Sequence, residues 1–436
     1  TGVDVISDNV NSIIEGSTVT ADNLSSQNIN DMHAVSVLAS GAASNNGNAA
    51  VGAVGIIVDH STQNNYASGS NFTLTSGLLD YNTTHKNNLT AVTGNVALGN
   101  AGSSLGGSLF AFAADNNINT YLKNTEVSAK AASVNSSAVD DIYAITAGGS
   151  LSAGSSAYQG AISLLVNTGT VQSYVDGGSV TTTGSANEKS PGIKISADKN
   201  IKNRQYNGQV SGSLSENAVG GAVTTTINTN TVKAYANNTK LSAEKGTEVA
   251  AKSIKFVEST PVGVSAGTGV AVQGSVDTTV LTDDVFAYIS GSEISSDVNI
   301  YANNDTTVKT ILGGAAVSGK GAVGAAVYTN VITGDTKAYI SDSQIKKDIN
   351  NLIVKADTHE SLNVLAASGS VSTGSVAVAG VVNTPVITRD TIAYIDNVDS
   401  ITNNANISNI DVQAVSNSEI SPLSGGISAS AGAGVG

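Results

Sequence analysis

Two pairs of adjacent carboxylates, Asp140-Asp141 and Asp283-Asp284, are the residues of this chain best suited to do chemistry. Paired acids cleave glycosidic bonds, one as acid and one as base or nucleophile, and clustered acids hold calcium. No run of basic residues accompanies either pair, and Arg204 and Arg389 are the only arginines. Four histidines, His33, His60, His85 and His359, are scattered with no metal-ligand spacing, and cysteine is absent. Zinc is therefore not expected, and each histidine reads as a solvated side chain. No EF-hand loop occurs. The glycine-rich stretch Gly102 to Gly107 lacks the Lys-Ser/Thr ending of a phosphate loop. Gly374-Ser375 is no nucleophile elbow. The sequons at Asn71, Asn82 and Asn88 are what a chain rich in Asn, Ser and Thr contains by chance. The expectation is no catalytic residue, no cofactor and no metal.

The ordered feature is a repeat. One tyrosine recurs at Tyr66, Tyr121, Tyr174, Tyr235, Tyr288, Tyr339 and Tyr394, at spacings of 55, 53, 61, 53, 51 and 55 residues. A fixed period near 50 residues marks a stacked array. Fourteen residues before each tyrosine stand Gly52, Gly107, Gly160, Gly221, Gly274, Ala325 and Gly380. Apolar columns flank them: Ala50, Leu105, Tyr158, Val219, Val272, Val323 and Val378 two residues earlier, and Val54, Leu109, Ile162, Val223, Val276, Val327 and Val382 two later. A further apolar column runs from Val58 to Val386, eight residues before the tyrosine. That two-residue period predicts a strand with one face buried. The glycines are read as inward positions where a side chain would strike the opposite wall. The tyrosines are read as a stack or a half-buried seam. Between the apolar columns and the tyrosine a polar corner is expected, as at Asp283-Asp284 or Gly334-Asp335. Six residues after the tyrosine come Phe72, Val127, Val180, Leu241, Ile294 and Ile345, with Ile401 in the seventh unit. Insertions collect after that column, the longest being Gly184 to Asn207. Asn-Asn pairs such as Asn64-Asn65 read as turn residues.

These columns predict an all-β, right-handed parallel β-helix of about seven units of ~53 residues, forming one elongated domain over residues 1–436. With strands of usual length, a coil takes roughly 20–30 residues, so each unit would hold about two coils. At about 4.8 Å per rung a rod of roughly 70 Å follows. Composition agrees with a thin stack: aromatics are 4%, tryptophan is absent, and prolines number only 4. A net charge of −14 disfavours nucleic acid and anionic membrane. No apolar run is long enough for a membrane helix, so no direct membrane insertion is expected. Both termini read as interrupted repeats, so the chain reads as a fragment of a longer one.

The segments GAVGAAVYTNVITGDTKAYI, Gly321 to Ile340, and VKAYA, Val232 to Ala236, resemble the internal repeats of large bacterial exoproteins of the leukotoxin type and of filamentous-haemagglutinin-like adhesins. The resemblance implies a β-helical shaft exported by a type V route and displayed on, or shed from, the cell surface. It implies attachment to a host-cell or bacterial surface receptor, protein or glycan, or to itself. The resulting expectation is a non-enzymatic structural shaft of an adhesin or toxin-type exoprotein. The alternatives are a carbohydrate-active β-helix (a polysaccharide lyase or hydrolase) and a self-assembling extracellular fibre or surface-layer component.

Overall fold

In the computed structural model, which describes residues 1–75 and 77–436, the chain winds as an all-β parallel solenoid. Its long strands alternate between two sheets. Sheet A holds Gly2–Glu15, Ala49–Ser68, Ser104–Ala129, Ala157–Thr182, Ala218–Asn237, Val270–Ser290, Gly321–Ser341 and Val376–Asp396. Sheet B holds Leu24–Ser44, Leu78–Gly99, Ala131–Ser152, Ile193–Ser213, Thr247–Gly267, Val298–Ser318, Ile349–Ser372 and Ile407–Ser430. Every pairing is parallel, and Tyr66 sits opposite Tyr121, Tyr121 opposite Tyr174, and so on to Tyr339 opposite Tyr394. A coil is one sheet A strand, a corner, one sheet B strand and a tight return.

Each unit is therefore one coil, not two. The long strands between the ends run 20–26 residues, about four times the usual 5–6. At about 4.8 Å per rung, eight coils stack to roughly 35 Å, whereas a 21-residue strand at about 3.3 Å per residue is roughly 70 Å long. The solenoid is broad across its strands and short along its axis.

The repeat columns also lie on the opposite face from the one expected. In Ala218–Asn237 the even-numbered residues are buried and the odd ones, with Val219, Gly221, Val223, Ile227 and Tyr235, face out. Leu105, Ile162 and Val382 in the flanking columns are exposed. The glycine column has no opposing wall: a Cβ at Gly107, Gly160, Gly221, Gly274 or Gly380 would meet nothing within 4 Å. The crowding lies one residue earlier and inward. There a Cβ on Gly220 would fall 2.1 Å from Gln209, and one on Gly324 would fall 2.4 Å from the Gly369 carbonyl of sheet B. The column from Phe72 to Ile345 is buried, but Ile401 is 89% exposed and outside it.

A third column sets the corner. Three residues after each tyrosine, and after Ile13 of the first strand, stand Gly16, Gly69, Asn124, Gly177, Asn238, Gly291, Asp342 and Asn397. All eight have φ between 47° and 70°. Glycine, asparagine and aspartate are the residues that tolerate this left-handed conformation. The predicted polar corner at Asp283-Asp284 is instead continuous strand. Of the predicted insertion, Ile193 onward is strand and the loop is short. Asn64 and Asn65 lie inside a strand as well.

The interior has three zones along the strands. Next to the corner, Val232, Ala234, Leu241, Val249 and their equivalents form an apolar core running through the stack. In the middle, apolar clusters around Phe110 and Phe112 and around Leu281 and Tyr328 share the space with charged side chains. Near the return the contents shrink to residues such as Ala222, Ser265, Gln209 and Gln273.

Candidate functional site

Strand alternation separates the paired acids. Asp140 points inward and is fully buried, whereas Asp141 lies on the outer face against Arg204 Nη2 at 2.5 Å. The two cannot act on one substrate. Asp140 instead belongs to a buried cluster. Its Oδ2 forms an ion pair with Lys199 Nζ at 2.5 Å and accepts from Asn167 Nδ2 at 2.8 Å. His85 sits between Asp140 and Asp59, with Nε2 at 4.0 and 3.9 Å from their oxygens. Gln63 donates its amide to His85 Nδ1 at 3.0 Å, which leaves the ring proton on Nε2, turned toward the carboxylates. Burial lowers the pKa of His85, so the ring is neutral. Burial would raise Asp140, but the Lys199 ammonium beside it outweighs burial and holds the carboxyl below its usual range. His85 is thus the exception to the expectation of solvated histidines. His60 is exposed beside Asp115 at 3.4 Å, and His33 and His359 lie on the outer face.

Asp283 anchors a second buried cluster, and here the expected lack of basic partners fails. Lys255 reaches across from sheet B to Asp283 and also donates to Asn304 Oδ1 at 3.2 Å. Ser253 Oγ donates to Asp283 at 2.9 Å, and the Asn230 backbone N–H at 3.2 Å. Burial pulls Lys255 down to about 8 against the pull of Asp283. Arg389 pairs with Glu360 at 3.3 Å, both side chains almost wholly buried. On the same strand as Asp283, six residues earlier, Asp277 has no cation. It accepts from Ser259 and Thr310 at 2.8 and 3.0 Å, and burial raises its pKa to about 7. These acids and bases come from different coils: Asp140 and Lys199 from neighbouring strands of sheet B, Lys255 with Asp283 and Arg389 with Glu360 from opposite sheets. Pairing them joins one level to the next through the interior, out of reach of a substrate.

The outer face of sheet A carries the ordered ladders. The seven tyrosines stack with ring centroids 4.6–4.9 Å apart and planes within 5° of parallel. Burial raises the pKa of the inner rings, and the first ring donates its hydroxyl to Glu15 at 2.9 Å. Two residues before the tyrosines, Asn11, Asn64, Asn119 and Gln172 form an amide ladder of 2.8–2.9 Å bonds. The same column continues with Phe286 between the Lys233 and Lys337 ammonium groups, 5.5 and 5.8 Å from its ring centre.

Near the return both outer faces are apolar. On sheet A these are the valine and glycine columns. On sheet B they are four adjacent columns, passing for example through Thr260, Val262, Val264 and Ala266 and through Ile311, Gly313, Ala315 and Val317. Two shallow grooves of about 960 and 940 Å³ run along the stack there. The outward assignment had one legible signal in the sequence: the intervening positions, such as Ala218, Gly220, Ala222 and Thr224, are smaller than the valines beside them, as a thin interior requires. Among the described residues no group of three His, Cys, Asp or Glu converges as metal ligands. No protein-family description, no curated protein and no solved structure matches the chain.

Proposed function

We propose that the chain is a non-catalytic structural segment of a secreted or surface-displayed bacterial exoprotein of the adhesin or toxin type. The observation that carries this reading is the in-register parallel stack of two sheets, marked on one of them by seven tyrosine rings stacked in parallel planes. Such a body resists bending, because every rung is tied to its neighbours by backbone ladders, stacked rings and amides. Its mechanism is breadth rather than reach. About 53 residues add only ~4.8 Å of height, while each coil adds two outer faces of about ten side chains each that can carry contacts. Secretion and attachment rest on the resemblance of the tyrosine-centred repeats to adhesin repeats.

The test is twofold. Surface proteolysis and antibody labelling of producing cells should find the chain outside, and beads coated with it should adhere to host or bacterial cells. A strictly internal location would overturn the reading. Release of reducing ends from acidic polysaccharides by the purified chain would favour the carbohydrate-active alternative instead.

A further inference from the structure

We propose that the apolar field on the outer face of sheet B is an interface between two copies of this chain, packed face to face about a two-fold axis. Four columns of outward positions make the field. One ridge column includes Val92, Ile145, Ile311 and Leu365; the next is small, as at Gly94, Gly208 and Gly313. Beyond it, side chains rise again at Val264 and, in the last column, at Leu98 and Leu151. The small column floors the 940 Å³ groove, which runs across the strands beside the ridge. Val264 is 43% exposed and Leu151 50%.

Three features favour a second copy as the occupant. The first is extent. Seven rung spacings of about 4.8 Å by six residues of about 3.3 Å give a plane of roughly 700 Å². That is close to the ~800 Å² that each partner contributes to a stable interface, and larger than the apolar patches of a few hundred Å² that monomers usually expose. The second is shape. A ridge beside a groove, both running along the stack at one rung repeat, fits its own copy, as two β-sheets do when their faces interdigitate. The third is charge. The field holds no ionisable side chain except Tyr206, so the net charge of −14 lies elsewhere. Arg204, Glu258 and Lys309 in the adjoining column form a mixed-sign polar rim on one side. An apolar centre with a polar rim is the anatomy of a protein interface, and a two-fold pairing closes and goes no further.

Sedimentation velocity of the intact chain over a hundredfold concentration range tests this. The expected result is a monomer–dimer equilibrium that Val264→Asp weakens at least tenfold while the far-ultraviolet circular dichroism stays that of the parent. Because the chain has no cysteine, single-cysteine variants give a second readout independent of that folding check. Val264→Cys should be cross-linked to its partner by a short bis-maleimide, and Thr229→Cys on the outer face of sheet A should not. A monomer at every concentration would overturn the proposal. So would filaments that lengthen with concentration, or a dimer in which Thr229→Cys cross-links and Val264→Cys does not. A monomer that co-floats with neutral phosphatidylcholine vesicles would overturn it in favour of a lipid occupant.

Discussion

Asp277 is the residue on which solution conditions act most directly. It is buried, faces two hydroxyls and no cation, and its pKa rises to about 7 from 3.8. Well below pH 3.8 the carboxyl is protonated in both folded and unfolded chains, and burying it is not penalised by charge. As pH climbs through 7 the unfolded state loses its proton first, so stability falls, by up to about 4 kcal/mol for three pKa units. Urea unfolding at pH 4, 6 and 8 should show Asp277→Asn gaining on the parent as pH rises; a constant difference between them would contradict this. Glycines divide by conformation. Gly291, at φ 59°, should lose about 1–2 kcal/mol on Gly291→Val. Gly274, with open space at its Cβ, should accept Gly274→Ala at no loss or gain about 0.5–1 kcal/mol. The tyrosine spacing was legible in the sequence because aromatic residues are rare here. The left-handed column was equally available but disguised, because Gly, Asn and Asp share its role and no single letter repeats.

At the level of strands and sheets, the buried charges and the stacked rings tie neighbouring coils together. Lys255→Met would leave Asp283 charged and unpaired, a loss of about 3–5 kcal/mol in unfolding free energy. Adding Asp283→Leu should recover most of it, and a double variant no better than the single one would show the pair is not coupled. Tyr235 stacks on two rings and Tyr394 on one. Each stacked pair contributes about 0.5–1.5 kcal/mol, so Tyr235→Ala should cost more than Tyr394→Ala in thermal melts. Strand period was readable from Val219, Gly221 and Val223, but their facing showed only indirectly, in the smaller residues between them. Alternation distinguishes two faces without saying which is inside, and here the outer face carries the larger apolar residues. The salt bridges were hidden for another reason: Lys255 and Asp283 are 28 residues apart, and only the register of two sheets brings them together.

Over the whole molecule, the tyrosine repeat marked seven of the eight coils, Ile13 standing in its column in the first, but did not tell how many coils each unit holds. A 53-residue period fits one coil of two long strands or two coils of short ones. What selects the former is that polar positions expected as corners, Asp283 among them, have partners inside the strand. The sheets therefore run through them to the left-handed column. Val58 and Val386 occupy one outward column, six rungs apart. Spin labels on a Val58→Cys, Val386→Cys variant, read by pulsed electron double resonance, should give a narrow distance near 29 Å at about 4.8 Å per rung. A distance near 58 Å, the value for about two coils per unit, or a broad spread without a maximum, would contradict the structure.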